Sequence, residues 1–434
     1  MEENSGFKLN FITLFIISTV VIAIVVLLVM FGLNGGKTKD NKLQANVVKR
    51  VENEVKPNTR KFEETELSYR FLKMENDKSN MIYSPLSIKY ALKMLNDGAS
   101  GNTQKQIQNL MGNENVPKYS VVDKTLSLAN SIFIRDSYSR YINEDYTKLL
   151  INDYNAEVKY DSFQDAKEVN NWIEKQTLGQ IKDMLNDESV SNPECKMILV
   201  NALAIEMEWV DSFDEESTHG DTFYLEDGKE IQATMMNQKT NSEDISYYQD
   251  IDVTVLSMDL EKYENTQMEC IIIMPDDNLN DYIESFDMEN INKLSKKLKS
   301  ADDTKNGLDI SVPKFSYEYD LNLKSDLIDL GVKDAFDQSL ADFSKITNQE
   351  KIFVSDALHK ANIDFSEKGV KAAAVTAIYG NEAAALVEEK PIEININKPF
   401  MYIVRDKSNQ EVWFVGTVYK PNLWENDKAD YQHK

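Results

Sequence analysis

Cysteine and histidine are almost absent from this chain, which removes most metal and redox chemistry from consideration. Only two cysteines, Cys195 and Cys270, and three histidines, His219, His359 and His433, occur in 434 residues. They form no CxxC pair and no HExxH pattern, so a dedicated zinc site has almost no ligands to draw on. Cys270 opens the apolar run CIIIMP, which reads as a buried strand, and both thiols are expected free and buried rather than joined. No metal or other cofactor is expected.

Positive charge is also scarce: 48 Lys and Arg stand against 73 Asp and Glu, for a net charge of -25 and a pI near 4.6. Such a chain repels the phosphate backbone of nucleic acid, and activation by a polyanion is disfavoured on the same ground. No internal repeat, heptad run or low-complexity tract interrupts the sequence. At 42% hydrophobic residues the composition supports a substantial core.

What is present begins with FITLFIISTVVIAIVVLLVMFGL, residues 11–33, which carry no charge over 23 positions and could cross a bilayer as one helix. The run is long for a cleaved signal peptide and no clear A-x-A site follows it, so an uncleaved anchor is expected. The chain then divides into a short N-terminal segment (1–10), a transmembrane helix (11–33), a polar linker (34–60), one α+β domain (61–423) and a tail (424–434). Lys8 alone precedes the apolar run, whereas Lys37, Lys39, Lys42, Lys49 and Arg50 follow it, a bias that by itself favours a cytoplasmic domain.

Within the domain, helices lead and strands follow. The stretches ELSYRFLKM, SPLSIKYALKMLNDG, stopped at Asp97 and Gly98, and AKEVNNWIEKQTLGQIKDMLND read as helices, the last with Trp172, Ile173, Ile181 and Leu185 on a helical repeat. Later segments are β-branched and aromatic: KMILVNALAI, CIIIMP, LDISVPKFSYEY, IEININ, MYIVRD and VWFVGTVYKP, with RDKSNQEVWF expected to form a hairpin.

Several motifs, in order, resemble the serpin family over about residues 61–421: NMIYSPLSIKYALKMLNDGASGNT, ILVNALAIEMEWVDSFD, VPKFSYEYDLNLKSDLIDLGV, ADFSKIT, ALHKANIDFSEKGVKAAAVTA and NKPFMYIVRDKSNQEVWFVGTVYKP. The resemblance implies three β-sheets with about eight or nine helices and an exposed reactive-centre loop, here about residues 367–391. In inhibitory serpins that loop is protease bait. After cleavage it enters the central sheet as a new strand, and the free energy released drags the acylated protease away. The implied function is a serine-type endopeptidase inhibitor with a target serine protease as covalent partner, no enzyme activity of its own, no cofactor and a monomeric state.

The hinge at the start of the loop, EKGVKAAAVTA, fits such a double life. Glu367, Gly369, Val370, Ala372, Ala373, Ala374 and Thr376 fall at the family's hinge positions. As a strand it would place Val370, Ala372, Ala374, Thr376 and Ile378 on one face, all uncharged, and Lys371 on the other. Gly369 would give turn freedom, and the alanines keep the side-chain entropy cost low. Val370 departs from the usual Thr or Ser, but Val is uncharged and strand-favouring, so insertion is expected to survive.

Counting from the hinge glutamate as in the family points to the Ala383–Ala384 bond, with Glu382 and Leu386 as alternatives, because the segment to NKPF is some five residues longer than usual. An alanine before the bond suits an elastase-like or subtilisin-like protease with a shallow pocket. Ser84, Ser87, Asn201 and His359 match a hydrogen-bonded cluster beneath the opening strands, and Trp209 matches the tryptophan where insertion begins. A hydrolase using one of these serines with His359 is the competing chemical reading, but the chain has no GxSxG elbow. A non-inhibitory serpin serving as a cell-surface binding module is the alternative within the family. Since long domains can be translocated despite flanking charge, the bait-loop function favours a single-pass cell-membrane protein with the domain extracellular.

Overall fold

The computed structural model describes residues 21–24, residues 62–370 apart from 113–115, 120–125, 155, 194, 196, 264 and 350, and residues 390–431. Its first strand is β1 (Val21–Ile24). The helix-rich part runs α1 (Phe62–Glu75), β2 (Met81–Tyr83), α2 (Pro85–Gly98), α3 (Gly101–Met111), β3 (Leu126–Arg135), α4 (Glu144–Tyr154), β4 (Glu157–Asp161), α5 (Lys167–Gln176), α6 (Asp187–Ser191), β5 (Met197–Ile205) and β6 (Met207–Glu208). Strands then dominate: β7 (His219–Tyr224), β8 (Glu230–Thr240), β9 (Ile245–Gln249), β10 (Val253–Asp259) and β11 (Met268–Pro275), followed by α7 (Leu279–Ser285), α8 (Met288–Ser295) and β12 (Lys299–Ser300). The chain closes with β13 (Leu308–Pro313), β14 (Phe315–Leu321), α9 (Leu323–Asp329), β15 (Val354–Ser366), β16 (Gly369–Val370), β17 (Ile392–Asn395), β18 (Phe400–Asp406), β19 (Val412–Val418) and α10 (Trp424–Tyr431).

These strands form three sheets. The largest has the order β4-β3-β5-β1-β15-β16-β6, with β14 on the far side of β15; the second runs β12-β9-β10-β11-β18-β19-β2 and the third β17-β13-β8-β7. In the second sheet every residue of β10, β11, β18 and β19 is buried, which explains why apolar residues dominate both faces of these strands. The helix α2 is buried on nearly all sides, and even its Lys89 is interior, paired with Glu411 at 2.9 Å. On the outer face of the large sheet, Val169, Trp172 and Ile173 of α5 pack on Phe133, Ile198 and Val200.

The expected hairpin is present as β18–β19, and Cys195 and Cys270 are buried and not joined in a disulfide. Three expectations need correction. The helix expected over AKEVNNWIEKQTLGQIKDMLND stops at Gln176, because the Thr177 hydroxyl bonds the chain locally and Leu178, Gly179 and Asp183 take positive φ. LDISVPKFSYEY is two strands in two different sheets, parted after Pro313, which has no N–H to continue a ladder. Trp424–Tyr431, expected as tail, is a docked helix that makes ten α-helices among the described residues.

Of the apolar run expected to cross a membrane, four residues are described. Val21–Ile24 is a strand that pairs antiparallel with β5 on one side and β15 on the other. Branched Val and Ile favour extended backbone, and two flanking edges supply the hydrogen bonds a helix would make to itself. The rest of residues 11–33 lies outside the described residues, among which no helix is long and apolar enough to cross a membrane.

Candidate functional site

The large sheet contains a slot one strand wide. Among the described residues no ladder joins β5 directly to β15. At one end β1 fills the interval, pairing Val21 with both Val200 and Leu358. At the other end β16 fills it, pairing Phe365 with Val370 and Ser366 with Gly369 on β15, and Met207 and Glu208 on β6. Beneath this mouth a small cavity is lined by Gln180, Ile205, Asn362, Ile363, Val370 and Phe414.

The hinge is tied down by its backbone. The Phe213 and Trp209 amides donate to the Glu367 and Lys368 carbonyls at 3.0 and 2.8 Å. Trp209 also donates its indole N–H to the Ser366 carbonyl at 3.0 Å, and its ring packs on Phe365 at 5.0 Å. Gly369 is needed for a sharper reason than turn freedom. Its φ is 151°, and a Cβ there would stand 2.1 Å from the Met207 carbonyl oxygen, so no side chain fits between β15 and β6. Val370 is buried against the core.

Glu367, only 4% exposed, keeps its charge by contacts from three other parts of the chain. Thr218 Oγ1 donates to its Oε1 at 2.9 Å, Tyr431 Oη donates to the same oxygen at 2.6 Å, and Lys314 Nζ lies 3.5 Å from Oε2. Burial alone would raise the carboxyl pKa, but the Tyr431 hydroxyl, the Lys314 charge, the backbone and Thr218 together hold it below the usual value. Burial and the adjoining carboxylate push the Tyr431 hydroxyl up. Nothing local in the sequence marks Thr218, Lys314 and Tyr431: a buried Glu must find partners, but which distant residues supply them is decided by the tertiary fold.

Of the remaining sequence-derived residues, Ser84, Ser87 and His359 come together. Ser84 caps α2 by accepting from the Ser87 amide at 3.1 Å, and its own amide donates to His359 Nε2 at 2.9 Å. The Nε2 lone pair is therefore bonded to a backbone amide and not to a serine hydroxyl, which weighs against the serine–histidine hydrolase reading. On the strand register, Asn201 of β5 and His359 of β15 face each other across the slot, one step beyond the residues paired to Val21. Ala372, Ala373, Ala374, Thr376, Glu382, Ala383, Ala384 and Leu386 lie outside the described residues.

His359 is 1% exposed, and burial pushes its pKa from 6.5 down to about 3. It stays neutral with its proton on Nδ1, which has no partner among the described residues. Between those two pH values the unfolded chain binds a proton that the folded chain does not, so stability falls on acidification, by about 1.4 kcal/mol per pH unit. His359→Gln keeps an acceptor for Ser84 and is expected to reduce the acid slope by one proton between pH 6 and pH 4, measured by urea unfolding. A stability difference between the two proteins that is independent of pH would contradict a buried neutral histidine.

Comparison with known proteins agrees with this architecture. The family model "Serpin (serine protease inhibitor)" matches residues 65–421. The chain is 30% identical to the leukocyte elastase inhibitor of Xenopus tropicalis, over 81% of this chain and 96% of that protein. It is 29% identical to human alpha-1-antichymotrypsin, over 81% and 85%. The solved native structure of the thermophilic serpin tengpin superposes with a TM-score of 0.70 at 27% identity, covering 83% of this chain and 93% of that one. The chain belongs to the serpin family.

Proposed function

We propose that this protein is a suicide-substrate inhibitor of serine proteases whose reactive-centre loop inserts into the slot between β5 and β15. The observation that carries the reading is β16: the first residues of the loop already lie in the sheet, antiparallel to β15, at the mouth of the slot. Cross-strand partners share a face. Val370 pairs with Phe365 and both are buried, so a strand continued in this register would bring Ala372 opposite Ile363, Ala374 opposite Ala361 and Thr376 opposite His359, all interior positions. That is the uncharged face of the hinge, and Lys371 would point away from the core.

In this reading the protease serine attacks the Ala383 carbonyl, the acyl-enzyme forms, and the Ala384 amine leaves protonated, the chain beyond it staying held in the fold by β17, β18 and β19. Insertion then competes with hydrolysis of the acyl bond. A strand of about fourteen residues is roughly 45 Å long at 3.3 Å per residue, so full insertion carries the bound protease far from where it docked and distorts the donors that deacylation requires. An alanine before the bond favours elastase-like or subtilisin-like targets, and the name of the leukocyte elastase inhibitor supports the first. The continued register sets Ala377 against Leu358, the residue now paired with Val21, so full insertion must expel β1.

Mixing the full chain, in detergent, with an elastase-like and a subtilisin-like protease tests the proposal. A complex that survives denaturing electrophoresis, with a released peptide beginning at Ala384, is expected. Clean cleavage with undiminished protease activity would contradict inhibition and favour the cell-surface binding module.

The anchored, extracellular placement is a separate part of the proposal and rests on the uncharged run at residues 11–33. In a membrane-inserted chain Val21–Ile24 cannot also be β1, so anchoring would leave that end of the slot vacant. The full chain is expected to resist alkaline extraction from membranes and to be digested by protease added to intact cells. Release by alkali, or protection until lysis, would contradict it.

A further inference from the structure

The C-terminal helix is an odd addition to the domain. The family match ends at residue 421, and α10 follows at once with no buried residue of its own, so it contributes little to any core. It is nevertheless docked at several points. Leu423 bridges Ala233 on β8, and the Asp427 carboxylate accepts from Thr234 Oγ1 at 2.8 Å and from Asn422 Nδ2 at 3.2 Å. Trp424 lies directly on β7, where a Cβ at Gly220 would meet its ring at 2.4 Å, and it stacks on Tyr431 at 5.6 Å.

All of these contacts aim one group. At the end of α10 the Tyr431 hydroxyl receives a hydrogen bond from Lys314 Nζ at 2.8 Å and gives one to Glu367 Oε1 at 2.6 Å, with the lysine also over its ring at 5.3 Å. Glu367 is the first residue of the turn between β15 and β16. That turn decides where the loop enters the slot and in which register. A residue slip there would turn the uncharged face of the hinge outward and Lys371 inward.

We propose that α10 is a latch whose Tyr431 is a positioning residue for the reactive loop: by holding Glu367 it fixes the β15–β16 turn and so sets the register and speed of loop insertion. The consequence for inhibition rests on the reading above; the existence of the latch does not. With the latch intact, the two-residue strand β16 is a nucleus that insertion only has to extend. Without it the turn frays, insertion starts later, and more acyl-enzyme is hydrolysed before the protease is trapped.

The test compares wild type, Tyr431→Phe and a chain ending at Leu423, each as the otherwise full chain. Hydrogen exchange at the Trp209 and Phe213 amides, which donate to Lys368 and Glu367, is expected to speed up about tenfold in Tyr431→Phe, and more in the truncation, a loss comparable to one hydrogen bond to a charged group. Exchange at Ile272, deep in β11, serves as the control for global folding and should not change. The number of inhibitor molecules consumed per protease trapped should rise in the same order. Unchanged hinge exchange overturns the latch, and faster hinge exchange with unchanged consumption overturns its role in insertion. A wild type that traps no protease overturns the inhibitor reading instead, and hinge exchange still decides whether the latch exists.

Discussion

Two long strands held one strand apart govern this molecule. The edges of β5 and β15 carry backbone donors and acceptors that a third strand can satisfy on both sides at once, and the chain has more than one segment able to serve. Val21–Ile24 takes one end and Gly369–Val370 the other. A strand added between two existing ones makes hydrogen bonds along both flanks. At about 1 kcal/mol net for each, some ten further bonds amount to on the order of 10 kcal/mol. A free energy of that size is comparable to the whole stability of an ordinary domain, and in the proposed mechanism it does the mechanical work on the protease.

The surroundings of the slot are built so that only one continuation suits it. Gly369 admits the close approach of Met207, and Val370 commits one face of the loop to the core. The charge at Glu367 is matched by Lys314 and two hydroxyls, which keeps a buried carboxylate at the bend without a penalty that would unfold it. Below, α2 presents its capped N-terminus to His359, so the helix and the strand that borders the slot are joined by a backbone-to-side-chain hydrogen bond rather than by a titrating pair.

Much of this was readable from residues alone, and the failures are instructive. The separate strands and the hairpin β18–β19 follow from apolar and β-branched runs separated by turn residues, the division into three sheets is what the family resemblance implied, and Val370, where the uncharged alternation begins, is buried opposite Phe365. The break at Pro313 has no local signature strong enough to part the strand, because the residues on both sides are equally strand-like; the change of sheet is a tertiary event. Ile181 and Leu185 are buried as their spacing suggested, but on irregular chain beyond Thr177, since burial and helicity are separate consequences of one apolar pattern. The sequence WENDKADY has no apolar stripe and looked like tail. Its helix is held by Trp424 on a glycine and by side-chain hydrogen bonds to residues far away in sequence. Length and lack of charge make residues 11–33 a candidate bilayer span, and nothing within them shows that two strand edges elsewhere also suit Val21–Ile24.

The most direct test of the central claim is the melting temperature of the protein before and after a single cut between residues 371 and 389. If the freed loop becomes a strand between β5 and β15, a gain on the order of 10 kcal/mol in a domain of this size should raise the midpoint by about 10 °C or more. A cut chain that melts at the same temperature as the intact one, or lower, would show that the slot does not accept the loop.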